Sequence, residues 1–470
     1  MPVSVFAEAR PKRRHVLRAG LAGLWGISGC RPSLSAALRD SGRRVDVRSL
    51  GARGDGVTDD RPAIQAAVDR IANAGGGEVV IPAGHFMLAS AIIPRSGVTI
   101  VGIDRERSIL KAAPGSTDNV VGIDYLVEGQ VAAARHGKRL DRLMGPDFSA
   151  LSETNARKRG GYAGYGVVDF HLRDLTIDGN KAQCPENSNL LVTGLIDGSF
   201  APGQTIRSSS GGRAMVAAVF PQGSPPALSI RPSTIGGSGQ FEIGDKIVGP
   251  QGRFVLTGRR GDDAYQVGVV FHAATDSGMT GCIVRDTVYQ GIVVYNACTR
   301  IAIADNIVTN PNRSGTVYKG GNVHIYCDFD NRSVQITGNR LQGGGGYGIV
   351  ISENGGRTDD VLIAGNTIIR TPGDAIRVAS ESTSSSATLG GIRIIDNRIA
   401  ECGDTAIRLV HQGRANGLIR PVVTGNRIRD SRFGILLAGR IDQPMVARNI
   451  FADIAGVALD LGAGPVTPTI

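Results

Sequence analysis

Val334-Gln335-Ile336-Thr337-Gly338-Asn339 is a short alternating strand closed by a glycine and an asparagine, and the chain keeps returning to that phrase. Ile301-Ala302-Ile303-Ala304-Asp305-Asn306, Val361-Leu362-Ile363-Ala364-Gly365-Asn366 and Ile392-Arg393-Ile394-Ile395-Asp396-Asn397 are its other full copies. Asn306, Asn339, Asn366, Asn397, Asn426 and Asn449 follow one another at intervals of 33, 27, 31, 29 and 23 residues. A second apolar strand typically comes next, as in Gly348-Ile349-Val350-Ile351, Ala375-Ile376-Arg377-Val378, Ala406-Ile407-Arg408-Leu409 and Gly434-Ile435-Leu436-Leu437. Self-similarity at a period of tens of residues marks a solenoid in which each repeat is one coil and neighbours bury a shared core. Asparagine tolerates left-handed backbone, and stacked amides can bond from coil to coil. The Asn series is therefore expected to be structural, not catalytic.

Composition points the same way. Gly is 66 of 470 residues, Trp occurs once and aromatics make up 5%, so the core has to come from Ile, Val and Leu on many short strands between tight turns. Charged residues at 20% and apolar ones at 41% exclude a disordered chain. The net charge of +10 is inflated by the N-terminus, where Arg10, Lys12, Arg13, Arg14 and Arg18 face only Glu8. The mild basic excess left over suits an anionic polymer, and without aromatic–basic interleaving no nucleic-acid partner is expected.

Lys12-Arg13-Arg14-His15-Val16-Leu17-Arg18, followed by the short Gly-rich apolar run Ala19 to Gly29, resembles a twin-arginine signal segment. That resemblance implies the twin-arginine translocation machinery as a partner and a periplasmic or envelope-attached destination. Ile27-Ser28-Gly29-Cys30 also resembles a lipobox, so lipidation at Cys30 and ordinary cleavage near Ser33 to Ala37 stand as the two alternatives. No later stretch approaches the roughly 20 apolar residues of a membrane span, which leaves the signal or a lipid anchor as the expected membrane contacts. The other cysteines, Cys184, Cys282, Cys298, Cys327 and Cys402, are odd in number and form no Cys-x-x-Cys pair, which argues against a zinc ribbon or a full disulfide framework. Cys282, Cys298 and Cys327 read as small buried hydrophobes.

Nearer the start, Leu50-Gly51-Ala52-Arg53-Gly54-Asp55-Gly56-Val57-Thr58-Asp59-Asp60 leads into a helix with Pro62 in its first turn and Ile64, Val68 and Ile71 on one face. Gly75-Gly76-Gly77 ends it, and Glu78-Val79-Val80-Ile81-Pro82-Ala83-Gly84 and Val98-Thr99-Ile100-Val101-Gly102 read as strands. These residues resemble the opening of the pectate-lyase-like β-helix superfamily, and Leu175-Thr176-Ile177-Asp178-Gly179-Asn180 resembles a later coil of it. Together with the leader, they resemble a family of twin-arginine-exported repeat proteins. The resemblance implies an all-β fold, a single-stranded right-handed parallel β-helix whose end is covered by the helix, with Asp55, Asp59 and Asp60 in turn and cap roles. The paired-Asp motifs of polygalacturonases and the Asp-Pro-His-Asp motif of alginate epimerases are absent from this sequence.

Two segments depart from the repeat. Residues 124–162 form a basic excursion, read as a solvated loop. Phe200-Ala201-Pro202-Gly203-Gln204-Thr205-Ile206 returns as Phe241-Glu242-Ile243-Gly244-Asp245-Lys246-Ile247, and each copy is followed by a Gly-Arg pair, Gly212-Arg213 and Gly252-Arg253. This duplication resembles small β-rich modules of phage tail proteins. The expected organisation is leader and linker over 1–40, cap and first coils over 41–185, an inserted small β-subdomain over 186–262 and the repeats over 263–470.

Strand parity assigns the faces. Ile292/Val294, Val323/Ile325, Ile349/Ile351, Ile376/Val378, Ile407/Leu409 and Ile435/Leu437 point inward. Val293 and Tyr295, His324 and Tyr326, Arg377 and Arg408 then share an outward surface. Adjacent Arg377 and Arg408, if unpaired, would be stabilised by an anion between them, which makes them and Tyr295 candidate substrate-binding residues for an acidic polysaccharide. His324, Tyr326, Asp328 and Glu353 are the candidate catalytic residues: two carboxylates for a hydrolase, or a His or Tyr moving a proton in a lyase, with Asp330 a further carboxylate nearby. No cofactor or metal is expected, since no loop has calcium-loop spacing and no ligand cluster supports a folded cofactor carrier. A non-catalytic carbohydrate-binding, envelope-structural or phage-tail-like protein is the alternative reading.

Overall fold

The computed structural model describes residues 43–462 except 115, 117–118, 123–166, 185–188, 202, 221–226, 233–240, 242, 263–265, 312–322, 354–355, 381–385 and 414–415. The twin-arginine segment, Cys30 and the basic excursion lie outside the described residues. What is described is a right-handed parallel β-helix of three sheets. The first sheet runs from Arg44–Asp46 to Met445–Ala447, the second from Asp55–Asp59 to Ile450–Ile454, and the third from Val269–His272 to Leu459–Asp460. From Val269 onward each coil visits the three sheets in turn, whereas the earlier coils supply strands to the first two; strands pair in parallel with their counterparts in neighbouring coils.

Inward residues of all three sheets merge into one apolar core from Val47 to Val446. The inward pairs read from parity are there, with one shift. Ile325 and Cys327, not Val323 and Ile325, stand in register with Ile292 and Val294. The helix Arg61–Asn73 lays Ile64, Ala67, Val68 and Ile71 against the first coil and carries Pro62 in its first turn. Asp60, the N-cap residue of that helix, turns its carboxylate to the amides of Arg53 (2.6 Å) and Gly54 (2.9 Å) and so pins the preceding turn. Asp59 accepts the Arg61 amide at 3.2 Å and does the capping. Cys282, Cys298 and Cys327 are buried, and desolvation pushes the Cys282 and Cys298 thiols up to about 12.

The asparagines form a continuous internal ladder at the turn from first to second sheet. Each Nδ2 donates to the Oδ1 of the next asparagine, from Asn306 to Asn339 (3.1 Å), Asn366 (3.0 Å), Asn397 (3.0 Å), Asn426 (3.0 Å) and Asn449 (2.9 Å). Left-handed backbone belongs to the residue before each rung: Asp305, Gly338, Gly365, Asp396, Gly425 and Arg448 all have φ between 54° and 69°. The asparagine's own task is to satisfy buried backbone groups where the chain turns a corner.

Between the second-sheet strand Thr176–Asp178 and the third-sheet strand Val269–His272, the chain leaves the solenoid to build a closed six-stranded antiparallel barrel, Asn189–Gly198 to Gly252–Asp262. Its core holds Phe200, Ile206, Phe241, Ile247 and Phe254. The sequence duplication is a structural one. The hairpin pairing Thr205↔Met215, Ile206↔Ala214 and Arg207↔Arg213 is repeated as Lys246↔Val255, Ile247↔Phe254 and Val248↔Arg253. Gly203 and Gly244 are both left-handed, and each donates its amide to the matching carbonyl, Val216 at 2.8 Å and Leu256 at 2.7 Å. The two hairpins meet antiparallel at Arg207↔Val248, a pair of equivalent positions, so a local pseudo-two-fold axis runs through that contact.

Candidate functional site

The outward face of the third sheet carries two columns in strict register. One runs Val270, Val293, Tyr326, Val350, Arg377, Arg408 and Leu436; the other runs His272, Tyr295, Asp328, Ser352 and Ala379. Successive rungs lie ~4.8 Å apart. At the N-terminal end the face is aromatic. Tyr295 meets Phe329 edge-on with centroids 5.2 Å apart and lies 5.8 Å from the His272 ring, on an apolar floor of Val267, Val270, Tyr289 and Val293. One coil on, the Tyr326 hydroxyl donates to Asp328 Oδ2 at 2.8 Å. Desolvation, followed by the negative charge of Asp328, holds the phenol well above its ordinary value of 10.0, so Tyr326 is a committed proton donor at neutral pH.

The histidines here are neutral. Burial lowers His272 from 6.5 to about 3, with its Nε2 3.0 Å from Asn296 Nδ2. His324, expected outward beside Tyr326, is 1% exposed and lies at the start of the strand Val323–Asp328, its Nδ1 2.9 Å from the Tyr347 carbonyl. The two-residue shift in register puts Tyr326 and Asp328, not His324 and Tyr326, at the level of Val293 and Tyr295. Desolvation lowers His324 as well, against the weaker opposing pull of the nearby carbonyls of Tyr347, Gln342 and Gly343.

His272 makes acid stability a test of this packing. An imidazole titrating at about 3 when folded and 6.5 when unfolded gains its proton first in the unfolded chain. Stability contributed by the neutral form is complete above pH 6.5 and falls as pH drops toward 3, by about 3 kcal/mol at pH 4. His272→Gln should show a correspondingly smaller loss between pH 7 and pH 4 in urea titrations; equal losses would place His272 in a solvated setting.

At the other end, Arg377 and Arg408 are neighbours as parity predicts, but they are not unpaired. Asp374, 0% exposed, takes an ion pair from Arg377 on one carboxylate oxygen and contacts Arg408 Nε at 3.0 and 3.2 Å. Arg408 Nη2 also donates to Thr405 Oγ1 at 2.7 Å and contacts Asp404 at 3.2 Å, and the Arg377 guanidinium lies 5.5 Å over the Tyr347 ring. The expected mutual repulsion is thus relieved inside the protein. An incoming carboxylate would have to share the guanidiniums with Asp374.

Glu353 does not reach the face. Its carboxylate, 0% exposed, accepts the amides of Asp330 and Gly356 (both 2.7 Å) and the Thr358 hydroxyl (3.1 Å), which makes it the staple of a loop. Asp330 is used likewise, accepting the Arg357 amide at 2.8 Å. Of the residues named from sequence, the structure brings together Tyr295, Tyr326 and Asp328, sets Arg377 two and Arg408 three coils further on, and withdraws His324 and Glu353. Sequence reasoning missed Asp374, Tyr347 and His272. The repeated Gly-Asp before the two Arg-bearing strands, Gly373-Asp374 and Gly403-Asp404, was the available signal.

Fold and site define the class as a right-handed parallel β-helix protein with an aromatic, acid- and arginine-bearing lateral face. Residues 44–138 match the family described as rhamnogalacturonase A/epimerase, pectate lyase-like, and residues 324–467 match the right handed beta helix region. A mannuronan C5-epimerase of Azotobacter vinelandii is 31% identical over 166 residues, 34% of this chain and 14% of that protein. Alginate lyase 7 of the same organism is 29% identical over 160 residues, 33% of this chain and 15% of that protein. The tail spike protein of Shigella phage Sf6 is 35% identical over 86 residues, 17% of this chain and 14% of that protein. The chain thus matches about one seventh of each relative's length. Among solved structures, the exopolygalacturonase from Thermotoga maritima aligns with 91% of this chain and 92% of its own at 13% identity and a TM-score of 0.48.

Proposed function

We propose that the protein binds an acidic polysaccharide along the third sheet and cleaves it as a lyase. The observation that carries this reading is the Tyr326–Asp328 pair in the outward columns of the third sheet, a protonated, partly exposed phenol hydrogen-bonded to a carboxylate that is 5% exposed. In β-elimination the C5 hydrogen leaves as a proton, the C4–O bond breaks, a C4=C5 double bond forms and the departing oxygen takes a proton. Asp328 is the acceptor, Tyr326 the donor, and their 2.8 Å hydrogen bond returns the proton to the phenol for the next turn. The Arg377–Asp374–Arg408 cluster holds a carboxylate of the bound polymer, and Tyr295, 5% exposed, supports the face from beneath by packing on Phe329 and His272.

A hydrolase is less well supported. It needs two available carboxylates flanking one bond, and Asp374 and Glu353 are each consumed by internal partners. The kinship with mannuronan epimerases and an alginate lyase supports a uronate substrate. We further propose delivery by the twin-arginine route to the periplasm or envelope, the form of attachment depending on Cys30.

The test is incubation of the purified chain with alginate, polygalacturonate and neutral glucans, following absorbance of unsaturated ends and release of reducing sugars. Unsaturated ends from a uronate polymer are expected. Reducing ends without unsaturation would establish a hydrolase, and retention of every polymer uncleaved would leave the non-catalytic reading. That second reading, an adhesive protein like a tail spike, is favoured by one observation: the arginines of the face already have internal carboxylate partners.

A further inference from the structure

The barrel has a surface that the lateral face does not use. Along its strands Ile206, Ala214, Ile247, Phe254 and Leu256 point into the barrel core, so Thr205, Arg207, Arg213, Lys246, Val248, Arg253 and Val255 alternate with them on the outside, all exposed. Strand pairing sets these outer residues side by side. Arg213 is opposite Arg207, Arg207 opposite Val248, and Val248 opposite Arg253, which makes one row across four adjacent strands. At about 4.8 Å per strand the row is roughly 14 Å from Arg213 to Arg253. The next row sets Lys246 beside Val255.

Like charges directly opposite on adjacent strands destabilise a sheet. Here the duplication has kept a basic residue at the same place in both halves, Arg213 and Arg253, while Arg207 sits on the pseudo-two-fold contact itself. Among the described residues Arg207, Lys246 and Arg253 take part in no ion pair. Asp197 lies opposite Arg253 at the row's far edge. Asp245 is engaged by the hydroxyls of Ser209 (2.8 Å) and Ser210 (2.6 Å). Val248 and Val255, 51% and 45% exposed, leave an apolar strip between the charges.

A row of guanidiniums at strand spacing with aliphatic surface between them matches a flexible chain that carries a carboxylate on each repeating unit and apolar ring faces between. We propose that this face of the barrel is a second binding surface for an anionic polysaccharide, holding the polymer across the pseudo-two-fold axis apart from the lateral face of the solenoid. The choice of polymer rests on the function proposed above; the anion-binding surface rests on the barrel alone.

Binding is read without turnover, using the full chain over sensors coated with polygalacturonate, alginate or neutral dextran. Wild type is expected to bind the two polyanions and not dextran, more weakly at 200 than at 50 mM salt, since screening lengths shorten. The pair Arg207→Glu and Arg253→Glu should weaken polyanion binding about tenfold or more, and Arg207→Gln with Arg253→Gln should weaken it less, because each lost contact is charge-assisted. Both positions are exposed, so melting curves should match wild type. Wild-type affinity in both double variants, or no binding by wild type, overturns the proposal. Single-stranded DNA binding in place of uronate binding overturns the polysaccharide assignment. A chain that releases no unsaturated ends but loses polyanion binding in the charge-reversed variant separates the two: the lyase reading fails and the barrel surface stands.

Discussion

Tyr326→Phe is expected to lower the rate of uronate cleavage by about 10²- to 10⁴-fold while leaving polymer affinity within a few-fold of wild type, because it removes the transferable proton and little contact area. The loss should fall on kcat and kcat/KM together, with KM nearly constant, since the proton is called on only in the transition state. The phenol also donates a hydrogen bond to the buried Asp328 carboxylate. Its removal therefore costs stability as well, about 1–3 kcal/mol, and activity has to be compared at a temperature where both proteins are folded. Tyr326→Phe with undiminished turnover would move the chemistry off this pair. A pH profile gives an independent reading. The Tyr326 phenol titrates well above 10 and both nearby histidines are held low by burial, so neither supplies a limb near neutrality. An acid limb, where it appears, then belongs to a carboxylate.

The architecture was legible because it is written in residues whose position is decided by periodicity. A strand of alternating apolar residues closed by Gly-Asn has one way to stack, and the inward residues from Ile292 to Leu437 lie in the core. What parity could not supply was register. Val323-His324-Ile325-Tyr326-Cys327-Asp328 is a six-residue strand in which three outward positions compete for the two places level with Val293 and Tyr295. Pairing with its neighbours put Tyr326 and Asp328 there and left His324 buried at the start of the strand.

The site was legible only where it lies on strands. Asp374 and Glu353 are in turns, and a turn carboxylate can serve the backbone, a neighbouring arginine or a ligand with no change in local sequence pattern. Asp374 met two arginines from successive coils, a contact between residues 34 apart in the chain for Arg408. Glu353 met the Asp330 amide of the preceding coil together with an amide and a hydroxyl of its own loop. The barrel duplication, by contrast, was visible as a repeated phrase, though its antiparallel meeting at Arg207 and Val248 is a fact of pairing alone.

Asn366→Ala should be among the most destabilising single substitutions in the solenoid, costing roughly 3–5 kcal/mol. Its Nδ2 donates to the Ile336 carbonyl at 2.8 Å and to Asn397 Oδ1 at 3.0 Å, and its Oδ1 accepts the Asn339 amide at 2.9 Å and the Asn339 Nδ2 at 3.0 Å. Truncation leaves the Asn339 amide and the Ile336 carbonyl without these partners at a fully buried corner, and each such group costs about 1–3 kcal/mol. Asn449→Ala provides the contrast. Asn449 accepts the same two bonds from Asn426 at 3.0 and 2.9 Å, but it is the half-buried end rung, where water can replace the lost acceptor, so about 1 kcal/mol is expected. Coils of a solenoid contact only their neighbours, so the Asn366 defect should also be local, with faster amide exchange centred on the strands Arg332–Thr337 and Arg357–Ala364 and little change at the helix Arg61–Asn73. Equal urea midpoints for the two alanine variants would mean that the ladder is an accompaniment to stacking. A larger loss at Asn366 would mean that the corner depends on the four bonds of that side chain.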